Sequence, residues 1–208
     1  MKTPLPQGRA ARALAVIAAA TWVTAAAQVR ADSGRPVAPP PYTAADVQFM
    51  AGMIGHHAQA VLMAGWAPSH GASQSVRALC ERIVVGQNDE IVLMQRWLRD
   101  RHETVPEADP RGQMMPGMDH PMLMPGMLTP EQMAQLDSAR GPEFDRLFLK
   151  FMIQHHQGAI TMVNQLFGSQ GGGEQETVFR FASDVYADQT TEIDRMGRML
   201  DALNRSSQ

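Results

Sequence analysis

The sequence predicts an all-α fold: a four-helix bundle built from two repeated helical hairpins with a long Met/Pro/Gly-rich crossover. Three observations predict it. At an offset of 99 residues the chain aligns with itself, "DVQFMAGMIGHHAQAVLMA" (46–64) over "DRLFLKFMIQHHQGAITMV" (145–163), and eight of nineteen positions coincide. The segments that follow match more loosely, "QNDEIVLMQRWL" (87–98) over "QTTEIDRMGRML" (189–200). Between the copies, residues 102–128 are rich in helix breakers and too long for a tight turn. Neither hairpin can bury its apolar stripe alone, but two packed together can.

The elements follow in order. Residues 1–31 read as a cleaved signal peptide, with basic Lys2, Arg9 and Arg12 before the apolar "ALAVIAAATWVTAAA" and a cut after Ala31 or Ala27. That apolar run is shorter than the ~20 residues of a bilayer span, so no stable membrane insertion is expected after cleavage; an uncleaved anchor is the competing reading. The mature chain is then periplasmic or secreted. Losing Lys2, Arg9, Arg12 and Arg30 takes the formal charge from −3 to −7. An acidic chain without a basic run is a poor partner for nucleic acid or anionic lipid, and a better one for cations.

Residues 32–42 form a Pro-rich tether, and 43–204 the bundle. Repeat one spans 43–101: Thr43 caps a helix with Asp46 three residues on, Pro68 and Gly71 end it, and a second helix runs from about Ser73 to Asp100. After the crossover (102–128), Thr129-Pro130-Glu131-Gln132 opens a short helix (129–140) with a capping box. Repeat two spans 142–204, from Pro142 to about Phe167 and, past Gly171–Gly173, from about Glu174 to Asn204. Cys80, the only cysteine, excludes an internal disulfide and a thiolate metal cluster; its helical spacing with Val76, Leu79 and Ile83 makes it a small buried hydrophobe.

The chemistry gathers on one face. At about 100° per residue, Met53, His56, His57, Ala60 and Met63 share the interior side of the first helix. Met152, His155, His156, Ala159 and Met162 do the same in repeat two. Buried neutral imidazoles need hydrogen-bond partners, and the second helix of each hairpin offers them three residues apart: Gln87 and Glu90, Gln189 and Glu192. Met94 and Met196 lie four residues beyond.

Two readings compete: a metal-free polar core layer, or a metal site of imidazole and thioether with Glu90, Glu192, Gln87 and Gln189 orienting the rings. Thioethers are soft and select Cu(I) or Ag(I); imidazoles also accept Cu(II). Zinc seldom takes thioether, and the Glu-x-x-His pairs of a di-iron carboxylate centre are missing. In the crossover, "MMPGMDHPMLMPGM" (114–127) adds Met114, Met115, Met118, His120, Met122, Met124 and Met127, beside Asp119. Its prolines and glycines deny it a helix, so its methionines are expected to be poorly buried and suited to capturing Cu(I); a flap laid on the bundle is the alternative.

With its paired histidines, its Met-Pro-Gly-Met element and its Gln-x-x-Glu-Ile helices, the span 43–203 resembles the bacterial domain of unknown function 305 family. The resemblance implies a ferritin-like four-helix bundle, usually exported, some of whose members bind copper or silver through these His and Met residues and take part in copper resistance. One departure is Gly55, where the family often has proline before the first His pair. The expectation is an exported copper-binding protein, not an enzyme, that sequesters or transfers the metal, with a copper exporter or another periplasmic copper protein as partner. A periplasmic copper-dependent redox enzyme and a metal-free partner-binding helical module are the alternatives.

Overall fold

The computed structural model describes residues 42–112 and 123–205, which are all-helical with no strand among them. The helices are α1 (Ala44–Gly65), α2 (Gln74–Arg99), α3 (Pro130–Ser138), α4 (Gly141–Gly168) and α5 (Glu176–Arg205). Two hairpins, α1–α2 and α4–α5, pack through α1 against α4, while short α3 lies on α4. The leader and most of the tether fall outside the described residues.

Local chemistry fixes the helix starts. Thr43 and Asp46 form a reciprocal capping box on α1, and Thr129 and Gln132 form another on α3, where Pro130 occupies the first turn. Ser73 caps α2 by accepting from Val76 N–H. Asp46 does a second job. Its Oδ2 accepts from Thr43 N at 2.7 Å while its Oδ1 accepts from Gly173 N at 2.7 Å, in the turn between α4 and α5. Asp145, its counterpart in the repeat, accepts Ser73 N at 3.2 Å in the turn between α1 and α2. Each hairpin thus supplies a buried carboxylate that closes the turn of the other.

Two apolar clusters fill the interior. One joins Met63, Leu79, Ile83, Phe148, Met152 and Met196; the other joins Met53, Met94, Met162, Phe181 and Val185 with Trp97 at its far end. Between them, at the middle of the helices, lies a polar layer. Cys80 is buried in the first cluster, and burial pushes its thiol up to about 12, with Asp145 adding to the rise.

A candidate metal centre at the middle of the bundle

The polar layer consists of His56 and His57 from α1, His155 and His156 from α4, and Gln87, Glu90, Gln189 and Glu192 from α2 and α5. All four imidazoles are fully buried. His56 and His155, equivalent in the repeat, face each other across the α1–α4 contact with ring centroids 3.8 Å apart. His57 and His156 sit outboard, and each pairs with the carboxylate of its own hairpin: His57 Nε2 with Glu90 Oε2 at 2.6 Å, His156 Nε2 with Glu192 Oε2 at 2.7 Å.

An oxygen acceptor fixes the tautomer of a neutral ring. Nε2–H of His57 and His156 donates to carboxylate, and Nε2–H of His56 donates to the Pro125 carbonyl at 3.0 Å. A neutral ring that donates through Nε2 keeps its lone pair on Nδ1, and all three Nδ1 atoms are buried without a hydrogen-bond partner. Neither nitrogen of His155 has a hydrogen-bond partner. A buried acceptor left unpaired costs about 1–3 kcal/mol, so the layer is strained toward a ligand that accepts lone pairs. Burial, reinforced by the neighbouring His57, lowers His56 to about 3. Burial first, then His56 and His156, holds His155 well below the ordinary imidazole range. Both are neutral bases at neutral pH. A soft or borderline cation fits this donor set, because it takes imidazole lone pairs without requiring thiolate.

The methionines sort across the repeats and not within them. Met53, Met94 and Met162 lie in one apolar cluster, and Met63, Met152 and Met196 in the other. Each set of two His and two Met expected from a single repeat is therefore split between the two sides of the layer. Antiparallel packing of α1 against α4 brings Met53 toward the repeat-two end that carries Met162. Thioethers thus flank the imidazoles above and below. Among the described residues, no group of three or more His, Cys, Asp or Glu is gathered as a ready metal site.

Gln87 and Gln189, expected as partners of the imidazoles, make no such bond; the glutamates take the rings, and both buried amide Oε1 atoms are unpartnered. The crossover methionines also need correction. Met127 is 4% exposed and Met124 is half-buried, because the strap that carries them is drawn into the groove between α1 and α4. Gly126 adopts a positive φ of 76° and its backbone lies against that of Gly158, where a Cβ would collide with the Pro125 carbonyl. Met114, Met115, Met118, His120 and Met122 lie outside the described residues.

The residues that sequence reasoning missed are those that hold this strap. Gln59 is 1% exposed and binds it with its whole amide, donating to Leu128 O (3.1 Å) and Pro110 O (3.0 Å) and accepting from Leu128 N (2.7 Å). Its counterpart in the self-alignment is Gly158, so the mismatch "HHAQA" against "HHQGA" was the available signal. Gly55 is likewise explained: a Cβ there would stand 3.3 Å from the Asp109 carbonyl of the strap.

The Domain of unknown function (DUF305) family matches residues 46–200. Among solved structures, a DUF305 fragment from Deinococcus radiodurans is 28% identical, with a TM-score of 0.65 over 78% of this chain and 99% of its own. CopM in its Cu(II)-bound form is 25% identical, with a TM-score of 0.59 over 76% of this chain and 96% of that one. CopM in a co-crystallised Ag-bound form is also 25% identical, with a TM-score of 0.56 over the same shares. No curated protein matches the chain.

Proposed function

The chain belongs to the DUF305 family, and from that premise we propose that it is an exported metal-binding protein that sequesters or transfers copper, as Cu(I) or Cu(II), with Ag(I) as a mimic. The observation that carries this reading is the set of orphaned imidazole nitrogens: three buried Nδ1 atoms whose rings are already oriented through Nε2, and a fourth ring, His155, with no hydrogen bond at either nitrogen. That is how imidazoles are held when another group orients them for a metal. Thioethers of Met53, Met94 and Met162 on one side, and Met63, Met152 and Met196 on the other, favour Cu(I). The capture of Cu and Ag by CopM, which shares this fold, supports the same class of cargo. Met124 sits with Met162 beside Gly52, within 4 Å of where a Cβ would stand, which puts a thioether of the strap next to one of the bundle.

The role is binding and not catalysis. Export rests on the leader and places the protein in the periplasm or outside the cell, where a copper exporter or another periplasmic copper protein would be its partner. The metal-free polar layer is the reading to beat, since His57–Glu90 and His156–Glu192 would satisfy part of it without any ion. An anaerobic Cu(I) competition titration of the mature protein against a chromogenic chelator separates the two. Binding should be lost, by at least tenfold in affinity, in His155→Ala/His156→Ala and weakened less by removing the crossover methionines. A wild-type protein unable to compete for Cu(I) would leave a polar core layer and no copper function.

A further inference from the structure

Both Glu–His pairs abut one feature, a solvent-open cavity of about 370 Å³ between the middles of α2 and α5. Gln87, Gln189 and three carboxylates, Glu90, Asp188 and Glu192, line it together with two arginines, Arg82 and Arg195, so its charged lining is net acidic by one. The glutamate side chains are 24% and 23% exposed, whereas the imidazoles they hold are at 0%. The cavity therefore reaches within one carboxylate of two buried rings. Gln87 and Gln189, 5% and 3% exposed, are among the lining residues, and the Oε1 atom of each is buried without a hydrogen-bond partner. An acceptor buried in this way is relieved by a donor or a cation. On the opposite face, the described part of the crossover lies over His56 and Gly158 with its backbone.

We propose that the α2–α5 cavity is the port through which a metal cation reaches the imidazole layer. Glu90 and Glu192 take the ion first, and the amide oxygens of Gln87 and Gln189 replace waters that it sheds. The port rests on the copper-binding reading and adds a route to it. Carboxylates at the mouth raise the local cation concentration and so the association rate, and salt weakens that effect. Arg82, 3.8 Å from Glu192 Oε1, opposes the ion and competes for the carboxylate. It sets a brake on loading. The passage is a kinetic device, separate from the donors that hold the metal at equilibrium.

The test is stopped-flow uptake of hydrated Cu²⁺ by the mature protein, followed by tryptophan quenching at low ionic strength, beside equilibrium affinity from chelator competition. Asp188→Lys should slow uptake about tenfold, and Arg82→Gln should accelerate it severalfold, with affinities unchanged within about twofold. Glu176→Lys changes the net charge as Asp188→Lys does but lies twelve residues away on α5, about 18 Å along the helix; it should leave the rate near wild type. Equal rates for Asp188→Lys and wild type, or equal slowing by both lysine variants, would overturn the port while leaving copper binding intact. If wild type takes up no Cu²⁺ that depends on His155 and His156, both the port and the copper reading fall.

Discussion

At the scale of the residue, the decisive property is that His56 and His155 are neutral where water would let them titrate. A free imidazole protonates near pH 6.5, but burial holds His56 to about 3. Between those values the unfolded chain binds a proton that the folded chain refuses, so stability falls as pH drops through that window. By pH 5 the loss is roughly 2 kcal/mol for His56, and His155 acts in the same direction. Urea midpoints of the metal-free protein between about pH 7.5 and 5, above the range of ordinary carboxylates, should decline steadily. A flat profile would mean that these rings titrate in the folded state. That the four histidines face inward was legible from their place on the helical face. Which nitrogen carries the lone pair was not, because it depends on the Pro125 carbonyl, a backbone group 69 residues away.

At the scale of the element, the helices were readable because their ends are written in local residues: Thr43 with Asp46, Thr129 with Gln132, glycines at 171–173. The reciprocal turn closures were not, since they join Asp46 to Gly173 and Asp145 to Ser73 across the hairpin boundary. Pairings at such separations leave no periodicity in the sequence. Replacing Asp46 by alanine strands the buried Gly173 N–H and should destabilise the fold by about 1–3 kcal/mol, whereas Asp145→Ala frees the N–H of the exposed Ser73 to water and should cost less. The two sites share no partner and lie at opposite ends of α1, so the double variant should show the sum. Denaturant unfolding of the four proteins measures it, and a strongly sub-additive double would show that the closures act as one unit. The strap's burial was misjudged for a similar reason. Proline and glycine correctly forbade a helix over 124–127, but helix-breaking composition does not forbid packing, and Gly126 against Gly158 makes a close backbone approach that larger residues would block.

At the scale of the whole molecule, the polar layer sits between two apolar clusters and weakens the metal-free bundle at its centre. A ligand that binds only the folded chain returns stability by mass action, about 2.7 kcal/mol at a hundredfold excess over Kd. For a bundle of this size that corresponds to a rise in Tm of roughly 5–10 °C. Thermal unfolding with and without Ag⁺ should show it in wild type and not in His155→Ala/His156→Ala. An equal rise in both would place the ion elsewhere. The two-hairpin architecture was evident from the self-alignment, whereas the grouping of methionines across repeats depends on α1 and α4 running antiparallel, which no single-copy motif encodes.

The exchange of Gln59 for Gly158 has one more consequence. A doubled sequence ordinarily carries a spare, so that damage to one copy is covered by the other. Here Gln59 clamps the strap and Gly158 yields space to it, so Gln59→Gly removes a fastening whereas Gly158→Gln fills a seat. Duplication in this chain has produced specialised halves, and neither can serve as understudy to the other.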